Sequence, residues 1–280
     1  MLVTCAAFLP KPMDINFKTE SVSLQAGKRI YFSSDFHLGA PNPTISLARE
    51  KVIVQWLESI RHDAQVVFLV GDLFDFWFEY KHAVPKGHLR FLGKLAELAD
   101  EGIELIIFTG NHDMWMSDYF HTEFGATIFR DPVHFEVKTT EGMHSTLLVG
   151  HGDGLGPGDS TYKQLKKVFE NPIARWGFRQ IHPDIGIRIA NSWSKKSRAS
   201  NTKKGEEMFM GEENEWLHQY CLGMEDYRHH DYYVFGHRHL PLDLKVGVSS
   251  RYINLGEWIN QRTYGVFDGV AFRLLTYSPT

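Results

Sequence analysis

The chain reads as an α/β protein: a parallel sheet covered by helices, a second sheet, and a helical insertion. Three observations predict this. Apolar runs of strand length alternate with helix-length patterns from Ile30 to Thr109. Further strand-like runs crowd together after His134. Between two of them, Ser160 to Cys221 has a helical pattern and no convincing strand.

Taken in order, Ile30–Ser33 reads as a strand, and Ser46 to Arg61 as a helix with Val52, Trp56, Leu57 and Ile60 on one face. Val66–Val70 is a second strand, ending at Gly71-Asp72. Lys86 to Asp100 is a helix, and Ile103–Thr109 a third strand, ending at Gly110-Asn111. Two successive strand–helix–strand units imply parallel pairing under helices. Later strands are expected at His134–Lys138, Thr146–Val149, Tyr232–Phe235, Leu242–Val246, Arg251–Leu255 and, with turns, Tyr264–Tyr277. Their close spacing predicts a second, more antiparallel sheet. The insertion, about residues 160–222, lies where a cap or lid is usual. Residues 1–27 read as a loose N-terminal extension before a domain spanning 28–280, and Met13 is an alternative start.

At 280 residues, 43% hydrophobic and 14% aromatic, the chain can bury a full core. A net charge of −4 argues against nucleic-acid binding by general charge attraction. Two cysteines, Cys5 and Cys221, form no disulfide framework and no zinc motif, which suggests a reducing compartment. No stretch approaches the roughly 18 apolar residues of a spanning helix. The apolar run Cys5 to Leu9 is short for a signal peptide and has no basic residue before it.

Five polar blocks each follow an apolar run: Asp35-x-His37, Gly71-Asp72, Gly110-Asn111-His112-Asp113, His151-Gly-Asp and Gly236-His237-x-His239. In a layered α/β sheet such positions gather at the C-terminal edge of the strands. Any one block could be a plain turn; five at successive strand ends are not an accident. The seven candidate ligands are Asp35, His37, Asp72, Asn111, His151, His237 and His239. Imidazole with carboxylate oxygen and no thiolate suits Mn2+, Fe2+ or Zn2+. Seven such groups exceed what one ion takes, and two ions sharing a carboxylate would use them, the arrangement of phosphate-ester hydrolysis.

The order of these blocks resembles the calcineurin-like metallophosphoesterase superfamily, over about residues 29–256. That resemblance implies a four-layer α/β/β/α sandwich and a dinuclear centre, with Mn2+ as the first expectation. It implies that Asp35, His37 and His239 hold one ion, that Asn111, His151 and His237 hold the other, and that Asp72 bridges. His112 and Asp113 become the expected catalytic pair, with Asp113 or Asp75 steadying His112. "GDLFDFW" (71–77), "HGDGLGPGDSTY" (151–162) and "NLGEW" (254–258) are further similar to the UDP-2,3-diacylglucosamine pyrophosphatase family of lipid A synthesis. This implies cleavage at the α-phosphate to lipid X and UMP, beneath a lid that covers acyl chains. It also implies a cytoplasmic protein, peripheral on the inner membrane.

Within the insertion, "SRASNTKK" resembles that family's substrate-gripping stretch, which makes Ser197, Arg198, Asn201 and Lys204 candidate substrate contacts. Trp176 and Trp193 are the candidate acyl wall: the region mixes aromatics with arginines and lysines, a composition suited to an acyl chain plus a phosphate. An ordinary amphipathic helix packed on its own domain would carry a similar mixture. One departure stands out. The family's best-known members have Arg after the Asn, where this chain has His112. An alternative substrate class is therefore a small phosphodiester or nucleotide. A scaffold without activity is disfavoured by the complete ligand set.

Overall fold

The computed structural model describes residues 17–156, 163, 166–169, 171–204 and 208–279, with side chains for all of these except 191 and 195–204. The expectations about Cys5, Met13 and the rest of residues 1–16 lie outside the described residues.

Two six-stranded sheets stack face to face. The first runs β12-β11-β2-β3-β4-β5, made of β2 (Arg29–Ser33), β3 (Ala64–Val70), β4 (Glu104–Phe108), β5 (Thr127–Phe129), β11 (Thr263–Phe267) and β12 (Phe272–Thr276). Strands β2 to β5 pair in parallel, and β11 and β12 join antiparallel. The second sheet runs β1-β6-β7-β8-β10-β9. Its strands are β1 (Thr19–Leu24), β6 (Val133–Thr139), β7 (His144–Gly150), β8 (Tyr232–Phe235), β9 (Pro241–Val246) and β10 (Ser250–Leu255).

Alternation sorts the side chains of these strands into layers. Ile30, Phe32, Val66, Phe68, Val70, Ile106 and Phe108 meet Phe135, Val137, Leu147, Val149, Val234 and Ile253 between the sheets. On the outer face of the first sheet, Tyr31, Val67, Leu69, Leu105 and Ile107 pack under α1 (Pro43–Ile60) and α2 (Leu89–Asp100). Helix α1 starts where Asn42 accepts the Ile45 N–H at 3.0 Å and Pro43 fills its first turn. It buries Ile53, Trp56, Leu57 and Ile60. Helix α3 (Tyr119–Phe124) closes the edge near β5. The result is helix, sheet, sheet, helix: the four-layer sandwich.

Four expectations are corrected. Residues 19–24 are not a loose extension, because β1 pairs in parallel along β6 and buries Val22 and Leu24. The signal was weak because only those two side chains point inward. The second sheet is not the more antiparallel one: β1–β6, β7–β8 and β8–β10 are all parallel. The long helical stretch between β7 and β8 supplies the crossover that parallel pairing needs. The last hairpin, β11 and β12, belongs to the first sheet, where β11 pairs with β2. Finally, the insertion contains α4 (Pro172–Arg179) and α5 (Pro183–Lys204), but its third helix, α6 (Trp216–Glu225), is part of the body. Leu217, Cys221 and Met224 of α6 bury against Leu148, Tyr233, Phe235 and Tyr252, forming the fourth layer.

Candidate metal centre

Five loops leave the C-terminal ends of β2, β3, β4, β7 and β8 and converge where the two sheets meet. Their backbones are unusual. Asp35, His37, Asp72, His237 and His239 all have φ between 44° and 69°. Left-handed backbone costs an L-residue about 1–2 kcal/mol, and it is least costly for Asp, Asn and His. Five such residues at one place mean that the surrounding structure imposes the conformation. Glycines make the approach close enough. A Cβ on Gly71 (φ +83°) would lie 2.4 Å from His151 Nδ1, one on Gly110 2.2 Å from Asp72 Oδ1, and one on Gly236 2.6 Å from Asp35 Oδ2.

All seven expected ligands come together. His37 Nε2 lies 3.0 Å from His239 Nε2, and His239 Nε2 lies 3.1 Å from Asp35 Oδ1. Asp72 sits between two halves: its Oδ2 is 3.8 Å from His37 Nε2 and 3.5 Å from His151 Nε2. Its Oδ1 accepts the His112 N–H at 2.8 Å. On the far side, His237 Nδ1 is 3.0 Å from Asn111 Oδ1. Three overlapping groups have ligand atoms within 4.8 Å of one another: Asp35, His37 and His239; His37, Asp72 and His112; Asp35, Asp72 and His151.

The electrostatics suit cations. Burial raises the carboxyls of Asp35 and Asp72, but the neighbouring imidazoles outweigh it and hold both well below the usual carboxylate range. Burial pushes His37 and His237 down to about 4, so both rings are neutral and carry a free lone pair at neutral pH. His151 is the exception: burial lowers it, but the Asp72 charge prevails and raises it to about 10. Its Nδ1 donates to the Val70 carbonyl at 2.8 Å, which points Nε2 inward. Asp35 Oδ1 and His151 Nε2 are buried without a hydrogen bond. Buried polar atoms normally have partners, and a cation beside each would satisfy it. The residues present fit two divalent ions.

Around the candidate ligands stand supporting residues, of which the sequence did not single out Arg49. Arg49 of α1 donates to the carbonyls of His37 and Ala40, both at 2.6 Å, and so clamps the first loop. Trp258 donates its backbone N–H to the Asp35 carbonyl at 3.2 Å and its ring N–H to Ser33 Oγ at 2.6 Å. That is the structural content of "NLGEW". Asp113 differs from expectation. It is fully buried, and its oxygens accept the N–H groups of Gly110 (2.7 Å), Leu73 (2.7 Å) and Phe74 (3.4 Å). It therefore ties the Asp72 loop to the Asn111 loop and does not touch His112. Burial and the Asp72 charge raise its carboxyl to about 7.

Of the two expected partners it is Asp75 that lies by His112, its carbonyl 3.0 Å and its Oδ1 3.8 Å from Nδ1, and Ser194 Oγ of α5 is also 3.0 Å away. Ser194 was missed because a lone Ser in a helical insertion carries no motif. Trp176 and Trp193 lie on α4 and α5, 65% and 51% exposed, and Trp193 meets Phe169 edge-on at 5.5 Å. The backbone of Ser197, Arg198, Asn201 and Lys204 continues α5; their side chains lie outside the described residues.

The calcineurin-like phosphoesterase family matches residues 28–241, which include all seven candidate ligands. The chain belongs to that family. A UDP-2,3-diacylglucosamine hydrolase from Porphyromonas gingivalis is 38% identical over 258 residues, covering 88% of this chain and 96% of its own. Another protein of that name, from Pseudomonas fluorescens, is 25% identical and covers 89% of this chain and 94% of its own. Among solved structures, the E. coli phosphoesterase YfcE is 17% identical and covers 85% of this chain and 87% of its own, with a TM-score of 0.40. As a calcineurin-like phosphoesterase, the chain is a metal-dependent phosphoester hydrolase. Among the described residues, no helix is long and apolar enough to cross a membrane.

Proposed function

We propose that this phosphoesterase hydrolyses UDP-2,3-diacylglucosamine at the α-phosphate, releasing lipid X and UMP. The observation that carries the reading is the complete ligand set, gathered at one edge in a chain 38% identical to a hydrolase of that name. Asp35, His37, His239 and Asp72 would hold one cation, and Asn111, His151, His237 and Asp72 would hold the other. Mn2+ is the first choice for both, with Fe2+ or Zn2+ as alternatives. Bound there, the ions supply Lewis-acid activation of the phosphate and lower the pKa of a water to near neutral.

The chain's own groups do the rest. Asp72 orients both halves of the centre. His112 faces the leaving side; its Nδ1 proton is held by the Asp75 carbonyl, so the proton it can give is on Nε2. As the P–O bond to the departing phosphate breaks, that proton passes to the departing oxygen. Ser197, Arg198, Asn201 and Lys204 grip glucosamine and phosphate, while Trp176 and Trp193 wall the acyl chains. The same apolar and basic lid surface suits peripheral attachment to the cytoplasmic face of the inner membrane.

The test is mass spectrometry of products from UDP-2,3-diacylglucosamine, with Mn2+, in 18O-water. The expected products are lipid X and UMP, with the label in UMP. Label in lipid X would overturn attack at the α-phosphate. No cleavage, together with rapid turnover of small diesters, would favour the second reading, a small-diester phosphodiesterase. His112 in place of the family's Arg is the observation that favours that reading.

A further inference from the structure

We propose that Ser194, carried by the lid helix α5, positions His112 for proton donation, so that the acid is complete only when the lid is seated. The inference rests on His112 acting as the acid in the proposed function. Ser194 is buried, although it lies on a helix whose Ile185, Ile189 and Trp193 are exposed. Its hydroxyl donates to Asp75 Oδ1 at 2.9 Å and lies 3.0 Å from His112 Nδ1. The Asp75 carbonyl lies 3.0 Å from the same nitrogen. A carbonyl can only accept, so Nδ1 carries a proton, shared between that carbonyl and the Ser194 oxygen. The Ser194 proton is used on Asp75, so the hydroxyl meets His112 with a lone pair.

Two partners on one nitrogen fix the ring. Its other edge then faces the ligands, and the His112 and His37 rings stand edge-to-face at 4.9 Å. One of these two partners belongs to the body and the other to the lid. The lid's seat is itself specific. Phe178 of α4 packs on Phe76, Phe78 and Trp115, with centroids 6.3, 4.7 and 4.8 Å away. Arg179 reaches the Glu79 carbonyl at 3.5 Å, and the Trp115 ring N–H reaches the Phe169 carbonyl at 2.8 Å. Where Gly186 of α5 passes Tyr80, a Cβ would lie 2.6 Å from the phenol oxygen. These contacts place α5 close enough for one short hydroxyl to touch the site. A lid that lifts takes Ser194 with it and leaves His112 Nδ1 to Asp75, whose carbonyl is 3.0 Å and whose Oδ1 is 3.8 Å away.

The experiment compares the phenyl and p-nitrophenyl esters of UMP, which present the same phosphorus with a poor and a good leaving group. The Mn2+-loaded full chain is used, with folding checked by circular dichroism and metal content measured. Ser194→Ala should lower kcat on the phenyl ester about tenfold, the size of one hydrogen bond to a charged group. KM should stay within about twofold, and the loss on the p-nitrophenyl ester should be at least about threefold smaller, because a good leaving group needs less of the proton. Ser194→Thr should restore most of the rate. In a His112→Ala background, Ser194→Ala should add nothing. Losses that multiply across the two sites, or fall equally on both esters, would overturn the role of Ser194 while leaving His112 as the acid. Full turnover by His112→Ala would overturn the acid itself. If the Ala variant loses fold or metal, Ser194→Val against Ser194→Thr isolates the hydroxyl at constant shape, and equal rates for that pair would overturn the proposal.

Discussion

The metal loops and the lid meet at one place but are built on opposite principles. The loops are buried, strained and held from every side. Five of the seven candidate ligands have left-handed backbone, and three glycines sit where a Cβ would collide with a candidate ligand. The lid helices α4 and α5 expose Ile173, Trp176, Ile185, Ile189 and Trp193 and touch the body at a few points. The loops are therefore intolerant of change at single atoms, whereas the lid should respond to loss of apolar area. In the function we propose, chemistry belongs to the first region and substrate choice to the second.

The strongest test of that contrast is Asp72→Ala. Its carboxylate lies between the His37 and His151 imidazoles, so its loss should abolish turnover and at least one bound ion. Elemental analysis that still found two ions per chain, with full activity, would sink the dinuclear assignment. Next comes Asp113→Ala. It would strand the buried N–H groups of Gly110 and Leu73, at about 1–3 kcal/mol each, so denaturant melts should show a loss of about 2–6 kcal/mol. A stability loss below about 1 kcal/mol would mean that the two loops are held by something else.

Gly71→Ala tests strain directly. The new methyl would meet His151 Nδ1 in a backbone of φ +83°, and the expected cost is about 2–4 kcal/mol, with weaker metal binding by titration calorimetry. The smallest stability effect belongs to the lid. Changing both Trp176 and Trp193 to Ala should alter stability by less than about 0.5 kcal/mol per site, since both rings are more than half exposed. KM for a diacylated substrate should nevertheless rise about tenfold, because a few CH₂ groups at about 0.8 kcal/mol each would lose their wall. Equal losses on that substrate and on a small diester would break the division between chemistry and substrate choice.

How much of this was legible beforehand follows the same contrast. The strands β2, β3, β4 and β8 and their ligand blocks could be read locally, because an apolar run ending in Gly-Asp or Gly-Asn-His is both a pattern and a mechanism. The seven candidate ligands follow from residue type and position at strand ends. Which candidate ligands face each other is not in the local pattern and came only from the family resemblance: His37 and His239 stand 202 residues apart, and their Nε2 atoms lie 3.0 Å apart. Sheet membership was equally hidden, since β11 follows β10 closely in the chain but pairs with β2 in the other sheet.

The amino-acid order by itself determined most of the elements, the candidate ligands and the apolar character of the insertion, because each depends on neighbours a few residues away. The tertiary structure alone decided the partners of single polar groups. It assigned Asp113 to backbone N–H groups rather than to His112, turned α6 into a layer of the body, and brought Ser194 of the lid to within 3.0 Å of His112. The physical reason is reach. Hydrophobic periodicity is summed over many residues and survives small errors, whereas a hydrogen bond depends on two atoms within a few tenths of an ångström, and only the packing of distant segments sets that distance.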